Sequence, residues 1–308
     1  QSSVIAVASS NQDNVDECSL NNRREQQLEP PVFDYQKYQK VLLLGEADFS
    51  FARALALRYP CIHITATEYG SGTDIANRYF DGNSDALGQQ LSSLARFPAI
   101  AEIVCGLNAR WLGREDNEDF LRYGSPPEDH NNACATCQRW NVETNQWDAP
   151  SLFWKTREQE TPENNRRAIP STTAIDQTQH FDLIIFNFPH SNKAGRAAKL
   201  IQALFLQLSI CVEKGRLYCH DNKPIVVELR LRIQENQKHV RCLYQHEQAA
   251  DRVSEYCKFD LLGVWPSDLD DWESLGYQHK QTNRNKSCRD FTRDCQVWRW
   301  NIVKKDES

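Results

Sequence analysis

The chain has 308 residues, of which 40% are hydrophobic and 25% charged, and its formal net charge is -6. This length allows one large domain with a full hydrophobic core. The acidic balance excludes a global positive field that would attract nucleic acid, so any nucleic-acid ligand needs a local basic patch. The 11 cysteines predict reduced thiols inside a cell. No signal peptide or membrane span is predicted.

The ordered part of the chain is predicted to begin with the apolar run Val41–Leu44, which is typical of a strand buried on both faces of a parallel sheet. Gly45 ends this strand, and Ser50 is placed to cap a helix that continues to Tyr59. The next predicted elements are a strand Cys61–Thr67, a helix marked by Leu87, Leu91, Leu94 and Ala95, and a strand Ala101–Leu107. This alternation predicts a doubly wound α/β fold.

The second half of the chain predicts four more strands after a long irregular segment. The strands are Phe181–Phe186, Ile225–Leu231, Phe259–Trp265 and Gln296–Val303, and the helices are Ala197–Val212 and Val240–Tyr256. Residues 108–179 are polar and too long for an ordinary connection, so they are predicted to be an insertion between strands 3 and 4. We therefore expect a Rossmann-like, mostly parallel sheet of seven strands with helices on both faces. The predicted boundaries are a flexible extension at 1–38, the domain at 39–303 and a tail at 304–308.

The first motif follows the first strand and reads Gly45, Glu46, Ala47, Asp48, Phe49, Ser50. A glycine at this point lets the backbone turn tightly beside a ligand at the carboxyl end of the strand. Two carboxylates would repel a pyrophosphate, whereas they would attract the sulfonium and amino groups of S-adenosylmethionine. We therefore predict that Gly45, Glu46, Asp48, Phe49 and Ser50 bind this cofactor, the alternative being an acidic turn before a capped helix.

Two further polar residues follow predicted strands. Glu68 ends the second strand, near the ~20-residue spacing at which an acid binds ribose hydroxyls. Asn108 follows the third strand, where a polar side chain often lies near the adenine, although a simple turn asparagine fits equally well.

The segment Asn187–Phe188–Pro189–His190 directly follows the fourth predicted strand. It resembles the Asn-Pro-Pro-aromatic loop of enzymes that methylate planar nitrogens. We predict that Asn187 donates to a carbonyl of uracil and that the backbone near Phe188 or Pro189 accepts from N3–H. His190 is predicted to help remove that proton. The alternative is a turn asparagine beside a structural histidine.

These motifs, together with the late Gly276–Thr282 segment, resemble in the same order the eukaryotic enzymes that methylate N3 of a uridine in large-subunit (25S-type) rRNA. The resemblance implies a class I methyltransferase with S-adenosylmethionine as cofactor and with rRNA or a pre-ribosomal particle as partner. It also implies a nucleolar setting. Three positions depart from the family pattern: Ala47 replaces a glycine, Gly70 replaces an acid and Asn108 replaces an aspartate.

Other hypotheses remain open at this stage. The chain could be a catalytically silent relative that binds RNA or protein, or a methyltransferase for a protein or small molecule. The basic residues available for RNA are Lys193, Arg196 and Lys199, and later Lys280, Arg284, Lys286, Arg289 and Arg293. No metal site is predicted, because His130, Cys134 and Cys137 have no evident fourth ligand.

Overall fold

The computed structural model describes residues 33–112, 136–154, 181–189, 196–217, 224–232, 257–266, 268–278 and 295–304. The strands are β1 Lys40–Leu44, β2 His63–Glu68, β3 Ile100–Cys105, β4 Thr136–Asn141, β5 Gln146–Trp147, β6 Ser151–Leu152, β7 Leu183–Asn187, β8 Ile225–Arg232, β9 Cys257–Pro266 and β10 Cys295–Lys304. The α-helices are α1 Ser50–Arg58, α2 Gly72–Tyr79, α3 Ser84–Leu94, α4 Arg196–Glu213 and α5 Leu269–Ser274. Short 3-10 helices span Tyr35–Lys37 and Ala109–Trp111.

The strands form one mixed sheet in the order β5-β4-β3-β2-β1-β7-β8-β10-β9, with β6 paired to β4. Strands β3, β2, β1, β7 and β8 are parallel neighbours, whereas β10 runs antiparallel to both β8 and β9. The chain leaves β1 toward β2 and β3 on one side and later returns through β7 and β8 on the other. This reversal creates a crevice at the carboxyl ends of β1 and β7, where ligands bind in open α/β sheets.

The sheet differs from the prediction in its strand count. It has ten strands instead of the predicted seven, because three short strands form between residues 136 and 152, inside the predicted insertion. Strand β4 pairs antiparallel with the end of β3. Helix α2 was also missed, although Ser71 and Asp74 form a capping box at its start. The predicted helix at Val240–Tyr256 lies outside the described residues.

The predicted extension is described only at its end. Residues 1–32 lie outside the described part of the chain. Tyr35, within the predicted extension, is only 1% exposed, and its hydroxyl lies 3.0 Å from both carboxylate oxygens of Glu228. The end of the predicted extension therefore contributes to the core. At the other end of the chain, β10 continues through Lys304, one residue into the predicted tail.

The main core lies between the sheet and α4. The predicted apolar stripe of this helix is buried at Ile201, Leu204, Phe205, Leu208 and Cys211, each 0% exposed. Phe205 makes edge contacts with Phe259 and Trp300 at centroid distances of 4.9 and 5.2 Å. These contacts join the helix to the antiparallel end of the sheet. Within the described ranges, no helix has the length and apolar character needed to cross a membrane.

Replacing Leu204 with alanine is expected to lower the free energy of unfolding by about 2 to 5 kcal/mol, because it leaves a cavity under α4. The matched control is Leu57→Ala on α1, since Leu57 is 44% exposed. That change is expected to stay within about 0.5 kcal/mol. Urea unfolding of both variants measures the difference, and equal losses would contradict the placement of α4 over the sheet.

Candidate active site

The loop between β1 and α1 has an unusual backbone. Gly45, Ala47 and Phe49 have φ values of 68°, 56° and 62°, all in the left-handed region. At Gly45 a side chain is excluded as well, because a Cβ would lie 2.9 Å from the ring of Phe186. Alanine and phenylalanine are disfavoured in this conformation, so the surrounding contacts have to hold them there. Such strain is common where a loop is shaped to hold a ligand.

Two carboxylates accept hydrogen bonds from backbone amides in the first turn of α1. The predicted cap at Ser50 is wrong, because Ser50 is the first residue of the helix and Phe49 occupies the cap position without a side-chain hydrogen bond. Instead, Glu46 Oε2 accepts from the amide of Ala52 at 2.8 Å, and Asp48 Oδ1 accepts from the amide of Ser50 at 3.1 Å. Negative charge at a helix N-terminus is favourable, since the free amides and the helix dipole both stabilise it.

Glu68 lies at the end of β2 and contacts the same loop. Its Oε2 accepts from the amide of Ala47 at 2.9 Å, and the amide of Glu46 donates to the carbonyl of Thr67 at 3.0 Å. Glu68 is the last residue of β2, so its bond to Ala47 ties the β1–α1 loop to the neighbouring strand. The three predicted acidic residues Glu46, Asp48 and Glu68 are each 5% exposed, so the structure gathers them in one buried cluster.

The acidic cluster is electrostatically strained. Burial raises the pKa of Glu46 to about 8; Asp48 and Glu68 add to this increase, while hydrogen bonds from Ala52 and Asn187 oppose it. Burial also raises the pKa of Glu68, against the lowering effects of backbone amides and Arg78. A ligand that carries positive charge would relieve this strain, because it favours the ionised carboxylates. These carboxylates therefore fit the sulfonium and ammonium groups of S-adenosylmethionine.

Asn187 connects the predicted segment Asn187–His190 to the loop between β1 and α1. It is the last residue of β7, so the strand ends one residue later than predicted, and its Nδ2 donates to Glu46 Oε1 at 3.1 Å. Its Oδ1 accepts from Arg230 Nη1 at 3.0 Å. Asn187 is 8% exposed. The bond to Glu46 thus joins the end of β7 to the loop that follows its neighbour β1, at the carboxyl edge of the sheet.

The residues after Asn187 are described only in part. Phe188 has a left-handed φ of 48°, and its amide donates to the carbonyl of Arg230 at 3.0 Å. Pro189 is buried, and His190 lies outside the described residues. Asn108 accepts from the amide of Arg110 at 2.9 Å and so caps a short 3-10 helix. This contact is the one expected of a turn asparagine.

The late predicted motif also reaches this region. The Ser50 hydroxyl donates to the carbonyl of Gln278 at 3.3 Å and lies 3.2 Å from the Gln278 amide, which donates to it. The neighbouring Tyr277 is buried against Phe51, with ring centroids 5.5 Å apart. The described part of this motif therefore packs on the β1 loop, while residues 279–282 lie outside the described ranges.

Sequence reasoning missed a buried ionic cluster beside Asn187. Its charged members include Glu228 and Arg230 on β8 and Arg299 on β10, each at most 2% exposed. Arg230 Nη1 lies 2.6 Å from Glu228 Oε1, and Arg299 Nε lies 2.7 Å from Glu228 Oε2. The sequence carries a signal for this cluster, because Glu228 and Arg230 stand two residues apart between Val227, Leu229 and Leu231 and so share one face of the strand.

The predicted basic clusters and cysteines are mostly outside the described ranges. Lys199 is exposed near the start of α4, whereas the cluster from Lys280 to Arg293 is not described. Cys137 is buried and its Sγ accepts from Arg139 Nη1 at 3.7 Å, and His130 and Cys134 lie outside the described residues. The described part of the chain contains no group of three or more side chains that could hold a metal ion.

The sequence matches one characterised family. Residues 42–281 match the family described as rRNA (uridine-N3-)-methyltransferase BTM5-like. The match covers more than half of the chain and includes the loop between β1 and α1, Glu68 and the segment Asn187–His190. No curated protein sequence shows a significant match.

Solved structures similar to the chain include a 16S rRNA methyltransferase, an aminoglycoside resistance methyltransferase and a fibrillarin/Nop5p complex. The 16S rRNA methyltransferase KamB has a TM-score of 0.37 and 10% identity, over 86% of this chain and 88% of that chain. The aminoglycoside resistance methyltransferase NpmB1 has a TM-score of 0.38 and 9% identity, over 86% and 87%. The fibrillarin/Nop5p complex has a TM-score of 0.34 and 10% identity, over 86% and 73%. The family assignment therefore rests on the match over residues 42–281.

Proposed function

Because the chain belongs to the family described as rRNA (uridine-N3-)-methyltransferase BTM5-like, we propose that it methylates N3 of one uridine in large-subunit rRNA. The protein is an S-adenosylmethionine-dependent RNA methyltransferase. One observation supports the assignment of the site most strongly: the hydrogen bond between Glu46 and Asn187. It joins the two loops that a methyl donor and a planar nitrogen acceptor would have to share.

We propose that β3, β2, β1, β7, β8, β10 and β9 form a class I methyltransferase sheet. In support, the first five are parallel neighbours and β10 is antiparallel between β8 and β9. Residues 108–179 would then be an insertion that contributes β4, β5 and β6. The proposed domain spans 39–303, with an extension at 1–38 whose end packs on the domain through Tyr35, and a tail at 304–308 whose first residue completes β10.

The cofactor would lie in the crevice beside the acidic cluster. When bound, it supplies an electrophilic methyl group on a positively charged sulfur. Glu46 and Asp48 would balance the positive charges of the cofactor, and the backbone of Gly45, Phe49 and Ser50 would line its amino-acid end. Glu68 would accept from the ribose hydroxyls, and Asn108 would lie on the adenine side.

The uracil would lie beside the end of β7. Asn187 has two N–H groups and gives one to Glu46, so the other is suited to a uracil carbonyl. The backbone near Phe188 and Pro189 would accept from N3–H, and His190 would take the proton as the methyl group arrives. The base would have to leave its stack to enter this crevice. Transfer would then depend on orientation, because N3 has to lie in line with the methyl group.

The proposed partner is rRNA within a pre-ribosomal particle, in the nucleolus. The net charge of -6 gives no general attraction for RNA, so local cations have to provide it. Lys199 supports this idea, because it is exposed near the start of α4, the helix that follows the β7 loop.

Calorimetry with S-adenosylmethionine tests the cofactor site. We expect saturable binding to the wild-type protein, weakened about tenfold in Asp48→Asn because a carboxylate near the positive charges is lost. S-adenosylhomocysteine lacks the sulfonium charge, so its affinity should change less. The matched control is Asp85→Asn, an exposed acid in the first turn of α3. Absence of binding to the wild type, or equal weakening by both variants, would contradict the assigned site.

A further inference from the structure

Arg230 is a completely buried cation beside Asn187, the first residue of the segment Asn187–His190 that is proposed to hold the target base. It lies on β8 opposite Asn187 in the parallel register and is 0% exposed. Its guanidinium contacts Asn187 Oδ1 at 3.0 Å, Glu228 Oε1 at 2.6 Å and the Tyr35 hydroxyl at 2.8 Å. The carboxylate of Asp268 lies 3.4 Å away, and the ring centroid of Phe51 lies 4.6 Å from Cζ.

These contacts come from separate parts of the fold. They involve β7, β8, the N-terminal 3-10 helix and the residue before α5. Arg299 also holds Glu228, with Nε 2.7 Å from Oε2, so the carboxylate partner of Arg230 is itself fixed. The planar guanidinium therefore has little freedom to rotate, and its direction toward Asn187 is set by the whole cluster.

The contact with Asn187 determines how the asparagine amide is turned. A guanidinium can only donate hydrogen bonds, so the group that faces it has to be the amide oxygen. The nitrogen then faces Glu46 and the crevice, which agrees with the 3.1 Å contact between Nδ2 and Glu46 Oε1. Without Arg230, only Glu46 would orient the amide, and a protonated Glu46 could donate to the amide oxygen after a half-turn, so that the oxygen would face the crevice. An oxygen there would repel a uracil carbonyl.

Arg230 also holds the next residue. The amide of Phe188 donates to the carbonyl of Arg230 at 3.0 Å, and Phe188 has a left-handed φ of 48°. Arg230 therefore also holds the backbone of the residue that follows Asn187.

We propose that Arg230 is a positioning residue for the target base, because it fixes Asn187 with its N–H groups toward the crevice. This inference rests on the proposed function, in which Asn187 contacts uracil. Arg230 is not proposed to touch RNA or cofactor. It acts through the asparagine, so its contribution should disappear when the asparagine is absent.

A double-mutant cycle on RNA methylation tests this coupling. Arg230→Lys keeps the charge but loses the fork that holds both Asn187 and Tyr35, and we expect kcat to fall about 10- to 100-fold. The affinity for S-adenosylmethionine should stay within about twofold, as for any group acting only on the other substrate. In an Asn187→Ala background, Arg230→Lys should have no further effect on kcat.

The matched control is Arg139→Lys on β4, a buried arginine in a separate ion pair, which donates to the Ser151 hydroxyl at 2.8 Å and to the Phe153 carbonyl at 2.9 Å. It should lower stability but leave kcat within about twofold. Tyr35→Phe is a milder second variant, since it removes one oxygen bonded to Arg230, and it should lower kcat about threefold only when Asn187 is present. Full additivity with Asn187→Ala, or equal kcat for Arg230→Lys and Arg139→Lys, would overturn the inference. An inactive wild-type protein would instead contradict the proposed function.

Discussion

Replacement of Asn187 by alanine is expected to lower kcat for RNA methylation by about 100- to 1000-fold, the loss typical of removing a donor at the reacting centre. The affinity for S-adenosylmethionine should change little, because the carboxylates of the acidic loop remain. The physical reason is geometric: Asn187 lies at the end of β7, and its amide nitrogen points to Glu46 across the crevice. Single-turnover transfer of labelled methyl groups to RNA measures the effect.

Asn83→Ala is the matched control for this experiment. Asn83 caps α3 by accepting from the amide of Ala86 at 2.9 Å, at an exposed position. Its replacement should cost about 1 kcal/mol of stability without loss of methylation. If Asn187→Ala retained wild-type activity, or if both variants lost activity in parallel with stability, the proposed position of the target base would be wrong.

Glu46→Gln is expected to change how stability depends on pH. Burial raises the pKa of Glu46 in the folded protein to about 8, above its usual value of 4.5. The folded state therefore binds a proton that the unfolded state has already lost in this interval. The contribution of Glu46 to stability is present below its unfolded pKa and decreases as pH rises toward 8. Between pH 5.5 and 8.5 this decrease amounts to about 3 kcal/mol.

The glutamine variant lacks this titration but loses a hydrogen bond, because Ala52 and Asn187 donate to different oxygens of Glu46 and the NH2 group that replaces one of them cannot accept. It should be about 1 kcal/mol less stable than the wild type at pH 5.5. The order should reverse by pH 8.5. Urea unfolding across this range measures the change, with the exposed Glu143→Gln as control. A constant difference between Glu46→Gln and wild type at all pH values would show that Glu46 is not strained.

The sequence predicted the parts of the site that depend on local patterns. Val41–Leu44 is buried along its whole length, as its uninterrupted apolar run predicted. The acidic loop follows it directly, so Glu46 and Asp48 could be placed at a strand end before any coordinates were known. The parallel order of the central strands also followed from the alternation of strands and helices.

Features that depend on pairing between distant strands could not be predicted. The contact of Arg230 with Asn187 requires the register of β7 against β8, which no local pattern specifies. The short strands β5 and β6 have two residues each, too few to show any periodicity. The error at Ser50 has a different cause: a serine before an apolar stripe resembles a cap, but Glu46 and Asp48, which precede the helix, accept from the amides of Ala52 and Ser50 in its first turn.

The most direct test of the account is mass spectrometry of nucleosides from large-subunit rRNA. Unmodified rRNA would be incubated with the purified protein and S-adenosylmethionine, and the product compared with that of Asn187→Ala. The account predicts N3-methylated uridine at a single position with the wild type, and its near absence with the variant. Methylation of another atom or base, or the same yield from both proteins, would contradict it.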